Sequence, residues 1–184
     1  MGKLIIVSGA SGTGKTYLLQ HKDDLNADLH IVKKLTTRSP RQNEDDYEFR
    51  FCCDVNEILA CDCHYSFRNQ MYGFYFADIQ NILDNGHNAI MVVRSIESID
   101  LLKKIFNNTV AILCMVNSTA IAEQQLRKNS ASNEEIKLRL YSAFEDAIKK
   151  EYMNGIAVFD KIIRNNYDEK FLDDVRKYLQ SVFE

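Results

Sequence analysis

The stretch 9-GASGTGKT-16, set between 3-KLIIVS-8 and 17-YLLQ-20, decides how the rest of the chain is read. KLIIVS is a continuous apolar run, the pattern of a strand buried on both faces of a parallel sheet. TYLLQHK begins a helix. The residues between match G-x-x-x-x-G-K-[ST] at Gly9, Gly14, Lys15 and Thr16. Glycines let consecutive backbone N–H groups turn toward one anion. The helix that follows adds its positive end. Lys15 can reach the β- and γ-phosphates of a nucleoside triphosphate, and the Thr16 hydroxyl can ligate Mg2+. A bare strand–helix turn needs neither that lysine nor the hydroxyl beside it. The stretch is therefore read as a phosphate-binding loop.

Working outward, apolar runs alternate with helical spacing. 28-DLHIVKKLTT-37 reads as a second strand, 88-NAIMVVR-94 and 109-TVAILCMV-116 as buried strands, and 158-VFDKIIRN-165 as the last strand. Helices are expected from 77 to a stop at Asn85-Gly86, over 95–106 and over 168–183. The segment 117–154 reads as two helices separated by the polar break 128-KNSASN-133. Between the second strand and residue 77 the alternation is interrupted. Tyr47, Phe49 and Phe51 alternate as in an exposed β-ribbon, 54-DVNEILACD-62 suits a short amphipathic helix, and 64-HYSFRNQMYGFYF-76 suits two short strands around a turn. Strands alternating with helices imply an α/β fold, a parallel sheet with helices on both faces. The expectation is one domain over 1–184. Its parallel-sheet P-loop NTPase core covers about 1–34 and 77–184. A small β-rich insert covers about 35–76, and a lid about 120–145.

Bulk properties narrow the partners. The chain has 184 residues, 46% of them hydrophobic and 27% charged, with a net charge of −3. That suits a globular domain with a substantial core. With a pI near 5.8, nothing calls for a nucleic-acid partner. Residues 1–7 lack the flanks of a signal peptide, and no apolar run reaches the ~18 residues of a membrane span. A cytoplasmic location with no membrane partner is the expectation. Four of the five cysteines crowd together as Cys52, Cys53, Cys61 and Cys63, with His64 adjacent. Zinc takes such ligands, but no Cys-x-x-Cys pair occurs, so reduced, partly buried thiols are the favoured reading.

The acceptor side is carried by 36-TTRSPRQNEDDYEF-49. Arg38 and Arg41, fixed around Pro40, make a forked cationic site for a dianionic phosphate. The stretch resembles the signature of guanylate kinases, in which T-T-R-x-P-R is followed by acidic residues and D-Y-x-F. Thr36, Thr37, Arg38, Pro40, Arg41, Glu44, Asp46, Tyr47 and Phe49 stand at the matching places. The loop GASGTGKT fits the same family. So do 71-MYGFY-75, which resembles its tyrosine-glycine element, and 159-FDKIIRNN-166, which resembles its terminal strand.

The resemblance implies an ATP-dependent, Mg2+-requiring nucleoside monophosphate kinase with GMP as acceptor. Gly9, Ala10, Ser11, Gly12, Thr13, Gly14, Lys15 and Thr16 would hold ATP, with Thr16 on Mg2+ and Asn165 against the adenine. Arg38, Arg41, Tyr47 and Tyr72 would grip the acceptor phosphate. Arg127 and Arg139, on the helices flanking the polar break, would be lid arginines acting on the transferring group with Lys15 and Arg38. The base-reading side departs from the family. Counting back from Tyr72 to the family's glutamate gives Ser66. Val92 and Arg94 occupy the positions of an aspartate pair, and Lys34 replaces a serine. Arg94 and Lys34 suit an extra phosphate or a carboxylate, or else Arg94 pairs with Asp46 or Glu97 and shapes the pocket. Other acceptors (another nucleotide, a modified nucleotide, a sugar phosphate) therefore stay open beside GMP. So does a non-catalytic binding module. A nucleotide-hydrolysing switch is weakest, because Arg94 stands where an acidic residue is needed.

Overall fold

The computed structural model describes residues 2–26, 28–40, 47–52, 54–128, 131–141 and 143–184. In chain order, strand β1 (Leu4–Ser8) leads through the glycine loop to helices α1 (Lys15–Gln20) and α2 (Lys22–Leu25). Strands β2 (Leu29–Ile31), β3 (Lys34–Thr36) and β4 (Phe49–Phe51) follow, then α3 (Val55–Leu59) and the hairpin β5 (Cys63–Phe67) and β6 (Gln70–Phe74). Next come α4 (Phe76–Asp84), β7 (Asn88–Val92), α5 (Ile96–Ile105) and β8 (Thr109–Val116). Helices α6 (Thr119–Lys128), α7 (Asn133–Ile136) and α8 (Ala143–Asn154), strand β9 (Lys161–Asn165) and helix α9 (Lys170–Phe183) complete the chain. Five strands form a sheet in the order β2-β7-β1-β8-β9, and four form a second in the order β4-β3-β6-β5. The fold is mixed α/β.

Two compact units divide the chain, one of residues Met1–Ile6 and Asp28–Val110, the other of Val7–Ala27 and Ala111–Glu184. In the first, β2 pairs parallel with β7. The stretch 28–37, read as one strand, is two. β3 lies in the other sheet, parallel to β4 and antiparallel to β6. The ribbon expected to be exposed is an edge strand buried on one face only: Phe49 is 8% accessible, whereas Arg50 is exposed and Phe51 part-buried. The hairpin β5–β6 turns on Arg68 and Asn69, whose φ values of 52° and 57° suit the tight two-residue loop that matches strand twist. Leu35, Ile58 and Cys61 form a core beneath α3, with Met71 and Tyr75 packed against it. Gly73 is required there: a Cβ would lie 2.8 Å from Cys61 Sγ and 2.9 Å from Ile58 Cγ2. Helix α5 is capped by Ser95, whose Oγ accepts from the Ser98 backbone N–H.

In the second unit β8 and β9 run parallel, with Cys114 opposite Ile163. Helix α9 buries Phe171, Val175 and Leu179, the i, i+4, i+8 stripe of an amphipathic helix. It packs on α2, where Arg176 Nε donates to the Asp24 carbonyl at 2.8 Å. The region expected to hold two helices is more broken. α7 passes into a π-helical turn, Lys137–Tyr141, before α8 begins. The turn keeps Ile136 and Leu140 packed with Ala122 and Leu126.

Candidate active site

The glycine loop of the second unit is built as its residue types require. Gly9, Gly12 and Gly14 have φ values of 140°, 71° and 93°, a region other L-residues rarely enter. At Gly9 and Gly14 space forbids a side chain as well. A Cβ at Gly9 would sit 2.3 Å from the Cys114 carbonyl oxygen, and one at Gly14 2.3 Å from Asn165 Nδ2. Ala10, Ser11, Thr13 and Lys15 are all buried. Lys15 Nζ donates to the Gly9 and Ala10 carbonyls at 2.7 and 2.6 Å and to Thr13 Oγ1 at 3.3 Å. The ammonium is thus held inside the curl of its own loop. Thr16, by contrast, is exposed in the first turn of α1.

Asn165 lies beneath this loop, 2% accessible. Its Nδ2 donates to the Thr13 carbonyl at 3.2 Å, and its Oδ1 accepts from the Tyr167 N–H at 2.7 Å. Both ends of the amide therefore brace backbone. Tyr167, at φ 58°, donates its hydroxyl to the Gly12 carbonyl. Burial pushes that hydroxyl's pKa up to about 12, against an opposing pull from the Arg139 guanidinium. Tyr167 is a loop-bracing residue that the sequence reading missed, since a lone tyrosine after a strand carries no distinguishing pattern. Cys114 sits next to the loop, and burial pushes its thiol up to about 12, so it stays protonated.

The two lid arginines differ. Arg139, on the π-helical turn, is 18% exposed and pairs with Glu135 at 3.1 Å. Arg127 is 53% exposed and forks onto Glu123, with Nε at 2.9 Å and Nη2 at 2.6 Å, while Nη1 donates to Asn133 Oδ1 at 2.8 Å. Glu123 also accepts from the Tyr141 hydroxyl, and these two donors hold its carboxyl below the usual range. Beside the loop a cavity of about 180 Å³ is lined by Ala10, Thr13, Cys114, Asn117, Lys149 and Tyr152, among others.

The acceptor-side residues lie in the first unit. Thr37 ties the strand end to β6 through its N–H to the Met71 carbonyl, 3.1 Å, and its hydroxyl accepting from Met71 N–H, 2.9 Å. The Arg38 N–H donates to Thr36 Oγ1 at 3.1 Å. Its guanidinium lies 4.8 Å from the centre of Phe49 and 5.4 Å from that of Phe51, within cation–π range. Tyr72 is buried on the same aromatic surface, stacked on Tyr65 at 5.4 Å and 6.0 Å from Phe49. Tyr47 is partly buried. Arg41, Glu44 and Asp46 lie outside the described residues, as does Cys53. The other clustered thiols are free.

Two base-side expectations change. Ser66 pairs with Met71, whereas Tyr72 pairs with Tyr65. Side chains alternate faces along a strand, so Ser66 is turned away from Tyr72 and is exposed. Tyr65 and Phe67 stand where Ser66 was expected. Lys34 does not offer a charge to a ligand. It is buried, with Nζ 3.2 Å from Glu48 Oε1 and also donating to the Val92 carbonyl. Burial holds its pKa below the ordinary value, Glu48 opposes that shift, and Arg94 and Arg38 add to it. Arg94 lies 4.5 Å over the Phe67 ring. Glu97 accepts from Ser95 Oγ at 2.9 Å. Arg38 and Arg94 therefore frame an aromatic surface of Phe49, Phe67 and Tyr72, and Lys34 is neutralised behind it. Glu48 went unnoticed in the sequence because its partner is non-local.

The guanylate kinase family model matches residues 1–182. A guanylate kinase of Rickettsia prowazekii is 32% identical over 152 residues, 77% of this chain and 75% of its own. One of Mycoplasmoides gallisepticum is 27% identical over 186 residues, 97% of this chain and 92% of its own. The crystal structure of guanylate kinase from Anaplasma phagocytophilum superposes with a TM-score of 0.66 at 19% identity, covering 98% of this chain and 85% of that one. Matched by that family model over residues 1–182, and 32% identical to a relative over about three quarters of each chain, the chain belongs to the guanylate kinase family.

Proposed function

We propose that the chain transfers the terminal phosphoryl group of ATP to GMP, giving ADP and GDP. The observation that carries this reading is the intact phosphate loop, with Lys15 at its centre, in a member of this family. A purely binding role needs neither that lysine nor the Thr16 hydroxyl. An acceptor phosphate oxygen attacks the γ-phosphorus while the bond to the β–γ bridging oxygen breaks. Little covalent chemistry is left for the protein, so positioning and positive charge dominate. Lys15 can exchange the Gly9 and Ala10 carbonyls for phosphate oxygens without leaving the loop. Arg38 and Arg41 would hold the acceptor phosphate, helped by Tyr47 and Tyr72. Arg139, and Arg127 once released from Glu123, would offset charge on the transferring group.

Thr16 fits Mg2+, because its hydroxyl is exposed while those of Ser11 and Thr13 are buried and hard oxygen donors suit that ion. Thr16 would hold the ion, which when bound would supply positive charge against the phosphates. The expected setting is the cytoplasm, without nucleic-acid or membrane partners. No helix among the described residues is long and apolar enough to cross a membrane.

A second reading is a different phosphomonoester acceptor. The exposed, outward Ser66 and the Arg94–Phe67 contact favour it. A coupled assay with ATP, Mg2+ and a panel of monophosphates tests both. Turnover highest with GMP is the expected result. Turnover highest with another acceptor supports the second reading, and no turnover with any of them removes the first.

A further inference from the structure

In the first unit, away from the loop and acceptor residues in sequence, Asp28, His30 and His87 are drawn together by strand pairing. β2 and β7 run side by side with Leu29 opposite Asn88 and His30 opposite Ala89. The Asn88 N–H donates to the Asp28 carbonyl at 3.1 Å, and the His87 N–H to the Ile82 carbonyl at 3.2 Å, which closes the end of α4. Gly86, at φ 83°, makes that tight reversal. The result is that two imidazole rings lie 4.4 Å apart at 33°, beside one carboxylate. Asp28 Oδ1 is 2.5 Å from His87 Nδ1 and 3.9 Å from His30 Nε2.

The geometry points to a binding site for one divalent transition-metal ion of borderline softness, Zn2+ being the natural probe, held by Asp28, His30 and His87. One ligand atom from each residue lies within 4.8 Å of the others. Metal–ligand bonds of about 2.0–2.2 Å need only small rotations of side chains that are all about half exposed. Two imidazoles and one carboxylate select Zn2+, Ni2+ or Cu2+ over Mg2+ and Ca2+, which prefer all-oxygen shells. Asp28 can ligate directly, or it can accept from His87 Nδ1 and leave Nε2 to the metal, the common carboxylate–histidine–metal relay. Exposure leaves the remaining coordination positions to water. The ion would tie terminal strand β2 to the α4–β7 turn, and so stabilise the folded state. None of the three residues has a part in the proposed phosphoryl transfer.

Calorimetric titration of the full chain with Zn2+ alone, without nucleotide, tests this. One ion per chain is expected, with affinity lowered at least tenfold by His30→Ala or His87→Ala, and the melting temperature raised by Zn2+ in the parent chain only. Melting in EDTA checks that the variants fold. Excess Mg2+ should leave the titration unchanged. Independently of any variant, paramagnetic Co2+ should shift the imidazole C–H resonances of His30 and His87 and spare those of His21 and His64. The proposal is overturned by the absence of saturable binding below about 1 mM. It is equally overturned by unaltered binding to the His30→Ala/His87→Ala variant, or by Co2+ shifts confined to other histidines.

Discussion

Lys34 Nζ and Glu48 Oε1 form an ion pair 3.2 Å apart in which the two side chains are 2% and 9% exposed. Removing either partner leaves an uncompensated buried charge, which costs about 3–5 kcal/mol. Lys34→Met and Glu48→Leu singly should each lower stability by about that much, while the double variant should recover most of it. Denaturant unfolding of the four proteins reads this directly. Additive losses in the double variant would mean that the two charges are not coupled.

The same pair sets a pH dependence. Burial holds the folded-state pKa of Lys34 below its ordinary 10.5, and Glu48 only partly offsets this. Between the lowered value and 10.5 the unfolded chain keeps a proton that the folded chain has released, so this group makes stability rise with pH through that window. Below the window both states hold the proton and the contribution is flat. Relative to Lys34→Met, the parent chain should therefore gain stability as pH is raised toward 10.5. A flat or falling difference across that range would reverse the assigned sign.

Lys15 is the ammonium enclosed by the Gly9 and Ala10 carbonyls. Lys15→Ala should lower kcat by at least about 10²–10³-fold, the usual loss when one preorganised donor to transition-state charge is removed. Steady-state rates with saturating ATP and acceptor measure this. An unchanged kcat would take Lys15 out of the reaction.

What could be read from the sequence followed local rules. The loop was legible because Gly9, Gly12 and Gly14 take backbone angles that constrain residue type. The strands β1, β7 and β8 were legible as apolar runs. Pairing across distance was not. Alternation at Phe49 and Phe51 marks a strand, but nothing local says that it runs parallel to β3, so the burial of Phe49 does not show in the sequence. The π-helical turn at Lys137–Tyr141 keeps Ile136 and Leu140 inward at ordinary helical spacing, so no break showed there. Ser66 is different, since the face it occupies can be counted from the sequence. A two-residue turn at Arg68-Asn69 pairs Phe67 with Gln70, hence Tyr65 with Tyr72, and counting through the turn assigns Ser66 to the other face.

Arg38 and Ser66 should accordingly behave differently. Arg38→Ala removes a guanidinium poised over Phe49. It should raise the acceptor KM about 10–100-fold, as expected for a lost charged hydrogen bond, with a much smaller effect on the ATP KM. Ser66→Ala, on the exposed opposite face, should leave both within about twofold, as surface changes usually do. Equal rises in both KM values for Arg38→Ala would count against the acceptor role, and a large acceptor-specific rise for Ser66→Ala would restore the serine to the site.

Asn165 distinguishes a brace from a base contact. Its amide joins the Thr13 carbonyl to the Tyr167 N–H and is buried against Gly14. Asn165→Ala orphans both backbone groups, which costs about 1–3 kcal/mol of stability and loosens the loop that binds phosphate. A brace acts on the phosphates whatever base is attached, so affinities for ATP, GTP and inorganic tripolyphosphate should fall by a common factor. A direct adenine contact would instead weaken ATP selectively and spare tripolyphosphate. Competition binding with the three ligands, on parent and variant, separates the outcomes. A loss confined to ATP would return Asn165 to the adenine site.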